Sequence, residues 1–452
     1  MKRYKLLKEK SDKNLWYPFS QMQGFVEEEY PVIESGEGVF LTDVNGKKYI
    51  DGVASIWTNV HGHNHPELNK AMKEQIDKIS HTTMLGVGNV PAIELAEKLI
   101  EITPENLTKV FYSDSGSEAV EIALKIAYQY NQQNGKPEKK KFISFKNAYH
   151  GDTIGSVSAG GIDLFHKVYG GLIFETVKAD SPFSYRLNGG MSEEETLKFC
   201  SEQLEEIMKN GAEEIGALVI EPLVQGAGGL IVHPKGFLAK VRELCSKYDI
   251  LMICDEVAVG FGKTGTLFAC EQENVKPDLM AVAKGISAGY LPLAATFVTE
   301  KIYRGFLGKY EDFRTFFHGH TFTGNPVACA AALANLELFR KNNVLENVKL
   351  RAEQIAKAMK KLADHPNVGD IRQCGMMVGA ELVKDKASKE EFEPALRIGH
   401  QVTLEARKNG AIIRPLGNVI ILMPPLVINE RELETLLNVT VNAICKVTKK
   451  SI

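Results

Sequence analysis

Two residues near the middle of the chain have the types and spacing to share a piece of chemistry. The stretch from Leu251 to Gly289, LMICDEVAVGFGKTGTLFACEQENVKPDLMAVAKGISAG, holds two short apolar runs, Leu251 to Cys254 and Leu279 to Ala283. Each run delivers a charged side chain at its end, Asp255 and Lys284. Short apolar runs of this kind read as buried strands of a parallel sheet, and open α/β sheets bind ligands at the carboxyl ends of their strands. An amine and a carboxylate converging there suit pyridoxal phosphate, which needs a lysine for its Schiff base and an acid partner for its pyridine nitrogen.

The same stretch carries two competing patterns. Gly260, Gly262 and Gly265 match the dinucleotide fingerprint after a strand, yet Asp255 and Glu256 would crowd a pyrophosphate and no long helical pattern follows. Gly285, Ser287 and Gly289 match a hydrolase nucleophile elbow, but Pro292 comes too soon for the helix an elbow requires. A lysine considered alone is most often exposed or ion-paired, so the elements around Lys284 must decide.

Those elements alternate between helical and strand patterns, which implies a mainly parallel sheet with helices on its faces. Val110 to Tyr112 reads as a strand, followed by Asp114-Ser115-Gly116-Ser117 and the helical run EAVEIALKIAYQY. A small-residue turn opening a helix is either a plain N-cap through Ser115 or Ser117, or a phosphate cradle of free N–H groups. Phe142 to Phe145 is another strand and leads to Tyr149, placed to stack on an aromatic ligand or to fill a half-buried site. Ala217 to Ile220 ends in Glu221-Pro222 before the glycine-rich Gln225 to Gly229. Phe316 to Pro326 opens the small-residue helix VACAAALANLELF, whose hydroxyl-rich start offers a second phosphate-binding end. Three alternating histidines, His61, His63 and His65, lack a carboxylate or cysteine set at ligand spacing and read as a loop into a helix at Pro66; no metal site is expected.

Towards the ends of the chain the pattern changes. Val39 to Gly52 predicts a hairpin turning at Asn45-Gly46, within a small antiparallel domain. A helical run follows Asn343, then a strand at Met376 to Leu382, a helix near Ile398 to Asn409, and strands at Ile412-Ile413 and Val419 to Leu422. The expected division is residues 1–62 as an N-terminal segment joining the small domain, 63–330 as the large domain, and 331–452 as the α+β small domain.

The bulk properties narrow the function class. At 452 residues, 44% hydrophobic and 25% charged, the chain is long enough for a large core and has globular composition. A formal net charge of -3 gives no electrostatic reason to expect nucleic acid or a membrane surface as partner, which leaves small molecules. Seven scattered cysteines with no C-x-x-C pair suggest reduced thiols in the cytoplasm. The basic start lacks the apolar region and cleavage site of a signal peptide, and no apolar run reaches membrane-spanning length.

The motifs YSDSGSEAVEIALK, NAYHGDT, IEPLVQGAGG, CDEVAVGFGKTG, AKGISAGYLP, HGHTFTGNPVACA and IIRPLG with MPP occur in that order nearly end to end. In this the sequence resembles the fold-type-I, class III pyridoxal-phosphate aminotransferases, and within them the diaminopelargonic acid synthase branch of biotin biosynthesis. The resemblance implies an α/β fold with a large, mainly parallel central sheet and a smaller α+β domain. It implies a transaminase that converts 8-amino-7-oxononanoate to 7,8-diaminononanoate with S-adenosylmethionine or L-lysine as donor. The alternative is another class III ω-aminotransferase of the ornithine or 4-aminobutyrate type. Lys284 would bind the cofactor and shuttle the proton, Asp255 would hold the pyridine nitrogen protonated, and Tyr149 would stack on the ring. Gly116 and Ser117 would bind the phosphate, and His320 with Thr321 would reach the cofactor phosphate of a second subunit, which implies a homodimer. Arg414 would pair with the substrate carboxylate, although a lone arginine is otherwise most simply a surface ion pair. Asp152 and Gly319 would also line the substrate site.

The chain departs from the better-known branch on the donor side. A tyrosine that stacks on the donor's adenine is Phe19 here, and a tryptophan pair is Ile56-Trp57. Phe19 can stack but cannot donate a hydrogen bond, so the site is more apolar. The pattern resembles a smaller branch of the family that uses L-lysine, and that resemblance makes lysine a candidate donor beside S-adenosylmethionine.

Overall fold

A computed structural model describes residues 2–450. Its centre is a seven-stranded sheet built from β1 (Leu107–Ser113), β2 (Lys141–Phe145), β3 (Val177–Ala179), β4 (Ile215–Ile220), β5 (Leu251–Asp255), β6 (Leu279–Val282) and β7 (Ala294–Thr299). The order across the sheet is β1-β7-β6-β5-β4-β2-β3. Neighbours from β6 to β3 run parallel, and β7 is antiparallel to both β6 and β1. Every residue of β4, β5 and β6 is buried. Helices cover both faces, so a strand such as ALVI or LMIC has no polar face to present, and its sequence runs apolar without alternation.

The two chain ends assemble the second unit. Phe40–Asp43 and Lys48–Asp51 pair as the expected hairpin, with Gly46 at φ 82 in its turn. Ile33–Glu37 adds to one edge, and Ala411–Ile412 joins the other in parallel, Ala411 opposite Ile50. The N-terminal hairpin is therefore tied directly to the C-terminal part. Beside it an antiparallel sheet places Met377–Asp385 between Val368–Cys374 and Val419–Leu422, with Arg414–Leu416 at the edge. Helices Val344–Leu362, Ile398–Lys408 and Glu430–Thr448 pack around these strands.

The helix Pro326–Lys341 runs across the boundary expected at residue 330 and packs on helices Pro66–Ile76 and Val90–Ile102. Its buried Ala328, Ala331 and Ala332 allow that close approach. Asn325 Oδ1 accepts from the N–H groups of Val327 and Ala328. Side-chain capping thus satisfies these two donors at the start of the helix. The cysteines are all free, five of them buried. Among the described residues no helix is long and apolar enough to cross a membrane.

Candidate active site

Asp255 closes β5 in register with Ala281, and β6 passes into a short turn that begins at Lys284. The two side chains therefore stand at adjacent strand ends, and both line a cavity of about 680 Å³. The loops after β2 and β4 bring Tyr149, His150 and Glu221 to the same cavity, and the turn after β1 brings Ser115, Gly116 and Ser117. Asp255 is held on both oxygens: Val257 N–H donates to Oδ1 (3.0 Å), and His150 Nδ1 lies 2.7 Å from Oδ2. Burial pushes the Lys284 amine below the usual lysine range, partly offset by Asp255 and Glu221. Its Nζ sits 5.7 Å from the ring centre of Trp57.

The start of the helix Gly116–Gln133 forms one end of the cavity. Ser115 Oγ accepts from Glu118 N–H, while the Glu118 carboxylate accepts from the backbone of Asp114 and Ser115. This capping box leaves the N–H groups of Gly116 and Ser117 without a partner among the described residues, so one turn is both an N-cap and an anion cradle. Ser117 Oγ accepts from Thr153 N–H (2.9 Å), and Glu121 accepts from Gly155 and Ser156, which stitches the loop after Tyr149 onto the helix. Gly151, at φ 119, lies where any side chain would strike Ser117.

The wall facing the substrate is strained. Ala54, Ser55, Ile56 and Trp57 all have positive φ, between 47° and 67°, and form a left-handed turn without a single glycine. Such backbone costs about 1–2 kcal/mol per residue, so it persists only where its surroundings hold it. Asp51, fully buried, holds it by accepting from Ser55 N–H and Ser55 Oγ, while His63 Nε2 lies 3.0 Å from the same carboxylate. The turn points Trp57 into the first cavity and Ile56 into a second, of about 570 Å³, which Phe19 and Arg414 also line.

An aromatic series connects the two spaces. Phe19 meets Phe165 edge-on at 5.4 Å between ring centres, and Phe165 meets Tyr149 at 6.3 Å. Tyr149 donates its hydroxyl to Asp152 Oδ2 (2.8 Å), and burial with that carboxylate pushes its pKa above the usual range. Arg414 has no ion-pair partner among the described residues, which removes the surface-ion-pair alternative. Gly319 and Thr321 are exposed, and His320 faces His318 (3.1 Å) and Glu118 (4.0 Å). None of these three lines the cavity of its own chain.

Sequence reasoning gave no role to His150 or Glu221, although both follow strand ends as Asp255 and Lys284 do. Glu221 accepts from Tyr149 N–H and Gly226 N–H, and burial, with Asp255 nearby and His150 opposing, pushes its pKa up to about 7. The competing motifs resolve differently. Lys263 fills the glycine pattern from within, only 1% exposed, and Ser287 Oγ donates to the Leu291 carbonyl rather than to a histidine.

The residues fit pyridoxal phosphate: an unpaired helix start for its phosphate, a fixed carboxylate and a desolvated amine on one cavity, and a tyrosine ring on its wall. The family model described as Aminotransferase class-III matches residues 25–444. The chain is 53% identical, over 96% of its length and 81% of the other's, to the adenosylmethionine-8-amino-7-oxononanoate aminotransferase of Nitratidesulfovibrio vulgaris. A crystal structure of the enzyme of that name from Methanocaldococcus jannaschii superposes with a TM-score of 0.93 at 44% identity, covering 98% of this chain and 99% of the other. An amine transaminase from an uncultivated Pseudomonas species, in its pyridoxal-phosphate-bound form, superposes with a TM-score of 0.93 at 34% identity, covering 96% and 99%. The chain belongs to the class III aminotransferases, pyridoxal-phosphate-dependent enzymes.

Proposed function

We propose that this aminotransferase converts 8-amino-7-oxononanoate to 7,8-diaminononanoate in biotin biosynthesis, with S-adenosylmethionine as amino donor. The observation that carries the reading is Arg414, a half-buried guanidinium on the wall of the second cavity without a carboxylate partner among the described residues. A simple amine substrate would leave that charge desolvated and unpaired, whereas a carboxylate substrate pairs it bidentately. The names of relatives about half identical along the whole chain point to the same substrate pair.

Bound pyridoxal phosphate supplies an electron sink for the electrons left when the proton leaves the reacting carbon. The chain does the rest. Lys284 Nζ would hold the cofactor and carry the proton at the reacting carbon; burial lowers the amine below the usual lysine range, which favours its neutral form. Asp255, fixed by His150 and Val257, would keep the pyridine nitrogen protonated. Gly116 and Ser117 would hold the phosphate, Tyr149 would lie against the ring, and Trp57 would exclude water. Arg414 binds the substrate carboxylate, with Asp152 and Gly319 on the substrate path. His320 and Thr321, which do not line the cavity of their own chain, serve the phosphate of a second subunit in a homodimer. The free cysteines suit work in the cytoplasm.

Phe19 and Ile56 favour a second reading of the donor alone. They give the outer wall no hydroxyl and one indole fewer, and both are exposed, 61% and 46%. L-lysine needs no adenine platform. The test follows formation of the diamine by mass spectrometry with S-adenosylmethionine, L-lysine or 4-aminobutyrate as donor. Product from S-adenosylmethionine is expected. Product from lysine alone corrects the donor, and no product from the oxononanoate with any donor overturns the function.

A further inference from the structure

The second cavity holds more positive charge than this function uses. Its basic side chains are Arg397, His400, Arg407 and Arg414, against a single carboxylate, Glu28. Both oxygens of Glu28 are occupied: Arg397 Nη1 donates to Oε1 (2.9 Å), and His400 Nε2 lies 2.7 Å from Oε2. Among the described residues neither Arg407 nor Arg414 has an ion pair. Arg407 Nε is also buried without a hydrogen-bond partner. A buried donor without a partner is unfavourable, and an acceptor on a ligand would satisfy it. The other walls are largely apolar, among them Phe19, Phe25, Val53, Ile56 and Ile413. Two free guanidinium groups at an apolar cavity match a ligand with a hydrocarbon body and a carboxylate end.

We propose that Arg407 is a second carboxylate-binding residue, which together with Arg414 makes this cavity the subsite for the tail of a medium-chain carboxylate substrate. The inference rests on the carboxylate role of Arg414 and deepens it. The two arginines stand at different stations. Arg414 opens the edge strand Arg414–Leu416, whereas Arg407 lies in the last turn of the helix Ile398–Lys408, whose His400 holds Glu28. The substrates differ in the same sense. In S-adenosylmethionine the carboxylate is one bond from the carbon that bears the transferred amine, and in 8-amino-7-oxononanoate it is six bonds from the ketone carbon. Both reacting carbons must come to Lys284, so the two carboxylates end at different depths. The short one meets Arg414 alone, and the long one meets Arg414 and Arg407 together.

The probe is sodium nonanoate, a saturated nine-carbon carboxylate that needs no turnover to bind, titrated calorimetrically into the holoenzyme beside neutral nonanamide. Nonanoate is expected to bind the parent protein, and its Kd to rise about tenfold in Arg407→Gln, in line with loss of one charge-assisted hydrogen bond. Arg407→Lys should recover part of this, and nonanamide should respond to neither substitution. In turnover, Arg407→Gln should raise KM for the oxononanoate about tenfold, with kcat and the donor's KM within about twofold. Nonanoate that fails to bind the parent, or binds Arg407→Gln as tightly, overturns the proposal. Equal loss of nonanamide also overturns it, because the effect is then structural. A protein that binds nonanoate through Arg407 yet does not aminate the oxononanoate loses the proposed function and keeps the subsite. One that aminates it with Arg407 indifferent loses only the subsite.

Discussion

The two cavities, the first lined by Tyr149 and the second by Arg414, are built from different material. The cofactor cavity is walled by strand ends and helix starts of a sheet whose three central strands are wholly buried. The second is walled by pieces from both chain ends, residues 18–28, 53–56 and 397–415. Their acids behave oppositely. Burial pushes Glu221 up to about 7, so its ionised form is disfavoured by the fold. Burial acts to raise Glu28 too, yet hydrogen bonds from His400 and Arg397 outweigh it and hold this carboxylate below its usual range. The difference separates two tasks: a rigid sheet sets distances for proton transfer, and the chain ends set charge and shape for a substrate without disturbing that sheet.

That separation can be broken from the cofactor side first. Lys284→Ala is expected to lower kcat by about 10³-fold or more, since the attachment amine and the proton carrier go together, with the melting temperature nearly unchanged. Asp255→Asn should lower kcat by about 10²-fold with little change in either KM, because the charge is lost but its hydrogen-bonded position is kept. On the other side, Arg414→Gln should raise KM for the oxononanoate about tenfold or more while kcat falls less than threefold. Steady-state kinetics on purified variants check all three; a large KM effect from Asp255→Asn, or a dominant kcat effect from Arg414→Gln, would merge the two regions.

Smaller effects sharpen the contrast. Ile56→Gly relieves one left-handed residue and is expected to raise unfolding stability by up to about 1 kcal/mol in urea titrations, while raising KM because a cavity wall is lost. The pH dependence of apoenzyme stability should separate the acids. Glu221 binds its proton more tightly folded than unfolded, so its contribution is greatest below pH 4.5 and is lost as pH rises towards about 7. Glu28 does the reverse: its contribution is present above pH 4.5 and is lost as pH falls through its lowered folded value. Thermal melts between about pH 3 and 8 should therefore lose the alkaline decline in Glu221→Gln and the acid decline in Glu28→Gln. The same slope in either variant as in the parent would contradict the assignment.

Much of the cofactor cavity is legible in the sequence, because a fully buried strand has an unmistakable apolar run and the residue just past it must face the ligand. Asp255 and Lys284 follow from that rule, and the Ser115 cap from the small residues before a helical repeat. The second cavity is far less legible. The left-handed turn at Ala54–Trp57 carries no glycine or asparagine to announce it, and depends on Asp51 and His63, which only tertiary contact brings together. Arg414 opens a three-residue edge strand containing Pro415, too short and too irregular for an alternation to show. The terminal helices Lys2–Asn14 and Glu430–Thr448 went unread for opposite reasons: the first is almost entirely polar, and the second takes its place by packing on Ile398–Lys408. His150 escaped because its partner, Asp255, is 105 residues away.

The most direct test of amino transfer at Lys284 is a stopped-flow measurement of cofactor absorbance, mixing purified holoenzyme with S-adenosylmethionine or with L-lysine and no ketone. A single-exponential change with S-adenosylmethionine, absent in Lys284→Ala and reversed on adding 8-amino-7-oxononanoate, is the predicted result. A change with lysine alone would mark Phe19 and Ile56 as the positions that switch the donor. No change with either amine, or a change that the oxononanoate does not reverse, would contradict the account.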